Sequence, residues 1–542
     1  MKVLLADSLA TECEDILTRA GLEVVTRPGI SQEELKEEIG GYEGVILRSG
    51  VKITDKVLAG AERLKAICRA GIGVDNVDVE EATKRGVIVM NTPEGNATSA
   101  AEHTIGLLFA VARKISQAHK SLQRGEWKRD KFIGFQVAGK TLGIIGLGRI
   151  GRQVAKKAAA LEMRVIAYDP FISPDITTQY FIQRTNALEE VLSQADFITI
   201  HVPLNASTRN LIAEREFNLM KTGVILVNAA RGGIVNEKDL YEAIVSGKVA
   251  GAALDVFEVE PPKGNKLLEL EQVIATPHLG AQTVEAQKAV AVEAAEQMAD
   301  ALLGRGVRNA LNLPVVNPEE FAQLQPFINF TERMGIFLMQ LTGCGVRSVA
   351  LIYAGEIAKR NTQLVTDSFL VGILKPCMEE GANLVNAPSL AMEKGIDVSV
   401  TTSGLCGDFT NLITAKVKTE TAESAVTGTI FNKGDARLVF IDGYTIDAVL
   451  EGMMLVVYAK DRVGLIGGVG TILGSEGINI ARMAFGRKKA GGTALLIVNV
   501  DNPISLKALE KIEKLEGVES VRLVQLPSNG KQKEVPTAYY LS

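Results

Sequence analysis

The feature that most constrains this chain is a set of three glycines between an apolar run and a helical stretch. Residues 142–145 are followed by Gly146-Leu147-Gly148-Arg149-Ile150-Gly151 and then by helix-forming residues 152–160. Gly146 permits a tight turn, Gly148 a close backbone approach to a pyrophosphate at the helix N-terminus, and Gly151 close helix–strand packing. The next strand ends in Asp169, about 20 residues beyond the glycines. A carboxylate there accepts from both ribose hydroxyls and repels a 2′-phosphate, so the pattern predicts an α/β domain that binds NAD.

Length and composition indicate the broad class of protein. A chain of 542 residues, 46% apolar and 23% charged, is too long for one hydrophobic core and predicts three or four globular domains. No apolar run approaches the roughly 18 residues of a membrane span. Residues 1–7 are typical of a short buried strand and not of a signal peptide. We therefore expect a soluble cytoplasmic protein without a membrane partner, with a mature organellar form as the alternative.

Charge and cysteine content argue against other classes. The net charge of −5 comes from interspersed charges of both signs, without a long basic tract, so no nucleic-acid partner is expected. The five cysteines are widely scattered and form no CxxC pair. Neither disulfides nor a metal site is therefore expected.

Two α/β blocks are predicted in the first part of the chain. From residue 1 to about 95, short β runs at 2–6, 45–47, 66–69 and 87–90 alternate with polar helical stretches, which indicates βαβ units and a parallel sheet. A second α/β block covers residues 140 to about 276. Long helical stretches at 99–116 and 284–303 are suited to crossing between two domains.

The second part of the chain has a different pattern. The prolines within residues 312–318 indicate a linker. Residues 319–450 predict an α+β domain with helices at 321–342 and 362–380. Residues 454–526 follow the order strand, helix, strand, strand, helix, strand, which is the ferredoxin-like arrangement. Residues 528–542 are predicted to form a mobile tail.

The histidines give few positions for a general base. His119 lies among lysine and glutamine and is expected at the surface, and His103 lies near the start of a long helix, where a structural role is expected. His201 and His278 each follow a β run. The carboxyl ends of parallel strands are where cofactors bind in open α/β sheets, so both are candidates.

Three loops supply the groups that hydride removal from a 2-hydroxy acid requires, namely a base, a carboxylate that orients it, and a cation for the substrate carboxylate. Arg231, Glu260 and His278 follow successive predicted strands. Taken singly, they also fit a surface arginine, a loop glutamate and a hydrogen-bonded core histidine. The ordered set at strand ends favours an active site.

These motifs, together with residues 48–51 and 69–78, resemble the D-isomer-specific 2-hydroxyacid dehydrogenase family. The resemblance implies that His278 is the general acid/base, Glu260 its carboxylate partner and Arg231 the anchor of the substrate carboxylate. It implies that Asp255 meets the nicotinamide carboxamide. The implied NAD contacts are Gly146, Gly148, Arg149, Ile150, Gly151, Asp169, His201, Val202, Pro203, Thr208, Asn228, Ala229, Arg231, Asp255, His278 and Gly280.

The same resemblance implies two Rossmann-like, doubly wound domains and a phosphorylated substrate. A substrate domain of residues 1–96 plus 295–312 is interrupted by an NAD domain of residues 97–294. Arg48, Ser49 and Gly50 resemble the loop that binds the substrate, and Arg129 matches a position that reaches into a neighbouring subunit of a dimer or tetramer. The expected reaction is oxidation of 3-phospho-D-glycerate by NAD, the first step of phosphorylated L-serine biosynthesis.

The C-terminal part resembles regulatory domains of long members of the family. Residues 313–450 resemble an α+β intervening domain, and residues 451–527 a ferredoxin-like ACT domain, a module that binds amino acids. Asp461 and Asn479 match its effector loop and following strand, which makes them candidate L-serine ligands. Val463 stands where a proline is usual, and Ala459 or Lys460 where an aromatic or imidazole ligand is usual. An ACT domain that only oligomerises is the alternative.

Three other functions fit parts of the sequence. A glyoxylate or hydroxypyruvate reductase of the same family is usually shorter than this chain. A non-catalytic NADH-sensing protein of the corepressor type keeps the same three residues but has no ACT domain. An amino-acid sensor would not need Arg231, Glu260 and His278.

Overall fold

The computed structural model describes residues 1–171, 182–314, 318–377, 381–431 and 434–527. Within them it contains sheets of five, seven, six and four strands, which confirms the predicted α/β class followed by α+β and ferredoxin-like parts. The chain divides into two compact units. The first comprises Met1–Ile53, Ile67–Val77 and Met90–Ala299, and the second Thr54–Ala66, Asp78–Val89 and the described residues from Asp300 onward. The predicted tail, residues 528–542, lies outside the described residues.

The first sheet has the order β2-β1-β3-β4-β5, and β1 pairs in parallel with both β2 and β3. The prediction missed β2 because its four residues are exposed or half-buried and show no apolar run. The strands of this first sheet and the helices between them are β1 (Lys2–Leu5), α1 (Glu12–Arg19), β2 (Glu23–Thr26), α2 (Gln32–Glu38), β3 (Gly44–Leu47), α3 (Asp55–Leu58), β4 (Ala66–Arg69), α4 (Val79–Lys84) and β5 (Ile88–Asn91).

The second sheet is wholly parallel and has the order β12-β11-β10-β9-β6-β7-β8. Because the chain leaves β6 first towards β7 and later returns to β9 on its other side, the connections diverge beside β6 and leave a crevice at the carboxyl ends. Its strands are β6 (Thr141–Ile145), β7 (Arg164–Tyr168), β8 (Gln183–Arg184), β9 (Phe197–Ile200), β10 (Val224–Asn228), β11 (Val249–Leu254) and β12 (Val273–Ala275).

Among the described residues, seven helices lie in the part of the chain that contains this second sheet or directly beside it in sequence. These helices are α5 (Ala97–Ala112), α6 (Ile115–Gln123), α7 (Arg149–Ala160), α8 (Leu188–Gln194), α9 (Glu214–Leu219), α10 (Glu237–Val245) and α11 (Val284–Leu302). The single helix predicted over 99–116 is wrong. Lys114 has a left-handed φ of 51°, which ends α5 and starts α6 in a new direction.

The second unit contains a six-stranded sheet of order β14-β13-β15-β16-β17-β18, antiparallel except for the parallel pair β13–β14. The helix predicted over 362–380 ends at Leu374, and residues 378–380 lie outside the described ranges. The elements are α12 (Pro318–Thr342), β13 (Val346–Gly355), α13 (Gln363–Leu374), α14 (Ala387–Glu393), β14 (Asp397–Ser403), β15 (Asn411–Thr419), β16 (Glu423–Ile430), β17 (Ala436–Ile441) and β18 (Tyr444–Ala448).

The last sheet is antiparallel and has the order β20-β21-β19-β22. The predicted strand and helix order is confirmed, with element bounds that differ by a few residues. The elements are β19 (Met453–Lys460), α15 (Leu465–Ser475), β20 (Ile480–Arg487), β21 (Thr493–Val500), α16 (Leu506–Glu513) and β22 (Val518–Gln525).

All five cysteines are free thiols, although the Sγ atoms of Cys344 and Cys377 approach to 3.3 Å. No described helix has the length and apolarity needed to cross a membrane. Within the described ranges, no three histidine, cysteine or acidic side chains are grouped as metal ligands would be.

Candidate active site

The glycine turn lies at the crevice beside β6. Gly146 has a φ of 96°, and a Cβ there would come within 2.7 Å of the His201 carbonyl oxygen. A Cβ at Gly151 would overlap the Gly146 carbonyl. Gly148 is the N-cap of α7, makes no side-chain cap, and has open space where its Cβ would be. The first amides of a twelve-residue helix therefore face room for a phosphate group.

Asp169 is held against this turn. One carboxylate oxygen accepts a hydrogen bond from the Leu147 amide at 2.8 Å and the other accepts from the Phe171 amide at 2.9 Å. A carboxylate has about four acceptor positions, so it can still accept from two ribose hydroxyls. These residues fit NAD, and the negative charge disfavours the 2′-phosphate of NADP.

The other predicted cofactor residues lie along the same sheet edge. They follow β9 (His201, Val202, Pro203, Thr208), β10 (Asn228, Ala229), β11 (Asp255) and β12 (His278, Gly280). His201 shares a hydrogen bond with the Thr199 hydroxyl, while its buried Nδ1 has no partner among the described residues. Burial lowers the pKa of His201 to about 3, so this imidazole is neutral and has an open polar atom.

The structure brings His278 and Glu260 together. His278 Nδ1 lies 3.0 Å from one Glu260 oxygen, and the other oxygen accepts from the Phe257 amide at 3.1 Å. Burial alone would raise the pKa of Glu260, but the hydrogen bonds from His278 and Phe257 outweigh burial and lower it. An ionised Glu260 thus orients the imidazole through Nδ1. The other ring nitrogen, Nε2, has no hydrogen-bond partner among the described residues.

Arginines from three loops form a cationic group. The Arg231 Nε donates to Asp75 at 2.9 Å, and its Nη1 donates to the Ala230 carbonyl. Arg69 is half-buried at the end of β4, and its buried Nε has no hydrogen-bond partner among the described residues. Burial, followed by the charges of Arg231 and Arg48, lowers the pKa of Arg69 to about 10. Such mutual repulsion marks a place for an anion.

Sequence reasoning missed Arg69. It stands in the motif of residues 69–78 on which the family resemblance was based, but it was not assigned to the site. Its position directly after an apolar strand is the same signal that identified Arg231. The packing around it is tight, because a Cβ at Gly71 would overlap the Arg69 guanidinium and one at Gly73 would overlap that of Arg231.

Asp255 occupies the centre of a hydrogen-bond network. Its side chain is only 1% exposed and accepts from the Thr276 hydroxyl at 2.6 Å and the Leu279 amide at 2.7 Å. It also accepts from the Gly280 amide at 2.9 Å. His103, expected to be structural, lies 3.1 Å from the same carboxylate.

The other predicted substrate residues differ: the charge of Arg48 acts on Arg69, whereas Arg129 has no such interaction among the described residues. Arg129 lies on a short exposed turn and forms no ion pair with the described residues. Arg48 donates its backbone amide to Asp7 at 2.6 Å, whereas Ser49 and Gly50 beside it are exposed.

The two candidate effector ligands are engaged in separate contacts. Asp461 accepts from Arg487 Nη1 and from the Gly491 amide, each at 2.9 Å. Asn479 donates to Asp501 at 2.6 Å. Val463, which replaces the usual proline, is 98% exposed beside Asp461.

Comparison with family models assigns three regions. Residues 105–280 match the NAD binding domain of D-isomer specific 2-hydroxyacid dehydrogenases. Residues 323–442 match the D-3-phosphoglycerate dehydrogenase intervening domain, and residues 453–517 match the ACT domain. An ACT domain suggests an effector.

Relatives match nearly the whole chain. A protein of Methanocaldococcus jannaschii named D-3-phosphoglycerate dehydrogenase is 44% identical over 511 residues, which are 94% of this chain and 97% of the relative. A protein of the same name from Bacillus subtilis is 39% identical over 97% of this chain and all of the relative.

Solved structures match a little over half of the chain. The TT0316 protein from Thermus thermophilus is 35% identical with a TM-score of 0.53, and covers 57% of this chain and 100% of its own. A glyoxylate reductase from Paecilomyes thermophila is 30% identical with a TM-score of 0.54, over 57% of this chain and 98% of its own.

Replacing Glu260 with glutamine tests its contact with His278. The amide keeps the shape of the side chain but loses the negative charge that lies 3.0 Å from His278 Nδ1. The NMR signal of the His278 imidazole should therefore shift relative to the unchanged chain. NMR can follow this change directly, because the chain has only four histidines.

Glu258→Gln is the matched control, since Glu258 is exposed in the same loop and its side chain forms no hydrogen bond to His278 among the described contacts. This variant keeps the original His278 signal. An unchanged His278 signal in Glu260→Gln as well would remove Glu260 from the orienting role.

Proposed function

Because this chain belongs to the D-3-phosphoglycerate dehydrogenase family, within the D-isomer-specific 2-hydroxyacid dehydrogenases, we propose that it oxidises 3-phospho-D-glycerate to 3-phosphohydroxypyruvate. It is an NAD-dependent oxidoreductase, and this reaction opens phosphorylated L-serine biosynthesis. The observation that carries the proposal is the group of Arg48, Arg69 and Arg231 in the same unit as the His278–Glu260 pair. A substrate with a carboxylate, a phosphate and a 2-hydroxyl has the groups that these residues would bind.

The roles of the catalytic residues follow from their contacts. NAD, which the glycine turn and Asp169 would hold, would supply the acceptor for the hydride that leaves C2 of the substrate. His278 takes the hydroxyl proton at Nε2, while Glu260 holds Nδ1 and stabilises the imidazolium that forms. Arg231 pairs with the substrate carboxylate and keeps C2 in place, since a guanidinium can bind a carboxylate through two parallel hydrogen bonds.

We assign the phosphate of the substrate to Arg48 and Arg69, with the backbone of Ser49 and Gly50. A doubly charged phosphate loses much hydration on binding and needs charged partners to compensate. The domain assignment follows from these roles. We propose residues 1–96 plus 295–312 as the substrate domain, 97–294 as the NAD domain, 313–450 as the intervening domain and 451–527 as the ACT domain.

The reaction is tested by NADH formation with 3-phospho-D-glycerate, D-glycerate and 2-hydroxyglutarate. The phosphorylated substrate should have the highest kcat/KM. Arg69→Met should lower it about 100-fold for 3-phosphoglycerate and far less for D-glycerate, because only the former loses a charge-assisted contact. Arg19→Ala, an exposed arginine on α1, is the control and keeps the wild-type values.

Two results would contradict this proposal in different ways. Equal losses with both substrates in Arg69→Met would reject the phosphate contact. Absence of NADH with all three acids would reject the dehydrogenase and favour an NADH-sensing protein.

We propose that the chain works as a homo-oligomer, either a dimer or a tetramer. Around Arg129 the surface exposes large apolar side chains, with Trp127 77% and Ile133 74% exposed, and Leu122 nearby in sequence. Apolar patches of this kind mark protein–protein contacts. In a dimer with two-fold symmetry, Arg129 would supply a cation to the cleft of the neighbouring copy.

Mixing two inactive variants tests this arrangement. Arg129→Ala lacks the donated cation and His278→Ala lacks the base, so each homo-oligomer should be strongly impaired. Mixed dimers contain one intact site, and random pairing of equal amounts should restore about a quarter of the wild-type rate. If the mixture stays as inactive as its components after verified subunit exchange, Arg129 acts in its own chain or not at all.

We propose L-serine as the effector of the ACT domain, with Asp461 and Asn479 as its ligands. Asp461 is a carboxylate close to the glycine that caps the start of α15, where it can attract an ammonium group, and its present partners are one surface arginine and one amide. Serine would replace these two partners of Asp461 at a small cost in free energy, because the Arg487 side chain is itself half-exposed.

Serine inhibition should be lost on removal of the Asp461 carboxylate. In wild-type protein, added serine lowers the rate of NADH formation, whereas Asp461→Ala gives the same rate with and without serine. Asp435→Ala, an exposed carboxylate outside the ACT domain, is the control and stays sensitive. A serine response of wild-type size in Asp461→Ala would reject this site.

We propose a cytoplasmic location. The amino-acid biosynthetic reaction uses soluble substrates and NAD, and no described helix is suited to a membrane. A mature organellar form is the alternative, since a relative from Arabidopsis thaliana is named as chloroplastic.

A further inference from the structure

The loop that carries His278 has an unusual backbone. His278 has a φ of 56°, in the left-handed region that residues with a Cβ seldom adopt. Such a conformation is strained and persists only where surrounding contacts hold it. The contacts that hold this loop therefore determine where the imidazole points.

Asp255 supplies those contacts. Its carboxylate accepts from the amides of Leu279 and Gly280, the two residues that follow His278, and its backbone carbonyl accepts from the amide of His278 itself. Thr276, two residues before His278, donates its hydroxyl to the same carboxylate. One buried side chain thus holds the loop on both sides of the imidazole.

His103 holds Asp255 from a different element. It lies on α5, and its Nε2 is 3.1 Å from Asp255 Oδ1 and 3.2 Å from the Thr276 hydroxyl oxygen. Since Thr276 already donates to Oδ1, the proton that links the three groups is on His103 Nε2. Burial alone would raise the pKa of Asp255, but the hydrogen bonds from His103, Thr276 and Leu279 lower it, so the carboxylate is ionised.

The two oxygens of Asp255 are unequal as a result. Oδ1 accepts from His103, Thr276 and Leu279, whereas among the described residues Oδ2 accepts only from the Gly280 amide. A carboxylate oxygen with three donors has little capacity left, so Oδ2 is the atom available to the nicotinamide carboxamide. His103 thereby fixes the rotation of the carboxylate as well as its charge environment.

We propose that His103 is a positioning residue for hydride transfer. It acts through Asp255, which it holds so that the His278 loop keeps its left-handed turn and Oδ2 faces the nicotinamide. The inference rests on the proposed function and deepens it, because it adds a residue on α5 to the machinery of the same site. His103 itself touches neither reacting atom.

Three substitutions of His103 distinguish the effect of its hydrogen bond from the effect of its side-chain volume. His103→Leu removes the donor. His103→Gln keeps a neutral N–H donor at about the reach of Nε2, and His103→Asn carries the same amide one methylene shorter. The expected result is a kcat lowered about 10-fold or more in the leucine and asparagine variants, the size of one lost hydrogen bond to a charged group. The glutamine variant should recover most of the wild-type kcat.

The isotope effect distinguishes positioning from simple loss of folded protein. With 3-phosphoglycerate deuterated at C2, misplacement of the nicotinamide or His278 slows the hydride step itself, so the deuterium effect on kcat rises in His103→Leu. A smaller folded fraction would lower kcat and leave that effect unchanged. The KM for 3-phosphoglycerate should change little, because the arginine group is separate from Asp255.

A second readout needs no turnover. The NMR signal of the His278 imidazole should shift in His103→Leu and His103→Asn and stay near its wild-type position in His103→Gln. This NMR measurement tests the link between His103 and the His278 loop without any enzyme activity. If the wild-type chain does not oxidise 3-phosphoglycerate, the proposed function is rejected, but the link can still be tested.

Any of three results would overturn the role of His103. These are an unchanged His278 signal in the leucine and asparagine variants, a loss of kcat without a change in the isotope effect, and a glutamine variant no better than asparagine.

Discussion

The parallel hydrogen bonding of the seven-stranded sheet is the constraint on which the rest of the site depends. All neighbouring strands run in the same direction, so the loops after β6, β7, β9, β10, β11 and β12 all leave from one edge. The order of connections reverses beside β6, and the loops on either side part there. The glycine turn, Asp169 and His278 share this edge because of that topology, although they are far apart in the chain.

Charge is arranged in two groups within the first unit. Burial, and after it the charges of Arg231 and Arg48, lower the pKa of Arg69. Glu260 and Asp255 stay ionised because donors surround each of them. An anionic substrate would relieve the repulsion among the arginines, while the carboxylates hold the imidazole that handles the proton. The site is thus pre-organised for a negatively charged hydroxy acid.

Local patterns predicted much of the fold and part of the site. The glycine turn, the acidic residue after β7 and the ferredoxin-like order of the last domain are short-range features, and each is present in the structure. The prediction of a single helix over 99–116 was wrong, because the left-handed φ of Lys114 divides this stretch into two helices. It missed the exposed β2, which has no buried residues to reveal it.

The sequence by itself determined which residue types follow which strands, and hence the NAD preference, the candidates Arg231, Glu260 and His278, and the family resemblance. Tertiary structure decided which of those groups meet. The His278–Glu260 contact, the approach of Arg69 to Arg231, the link from His103 to Asp255 and the pairing of Asp461 with Arg487 all join separate elements. Hydrogen bonds and charge interactions act over a few ångströms, and only the packing of the folded chain sets such distances.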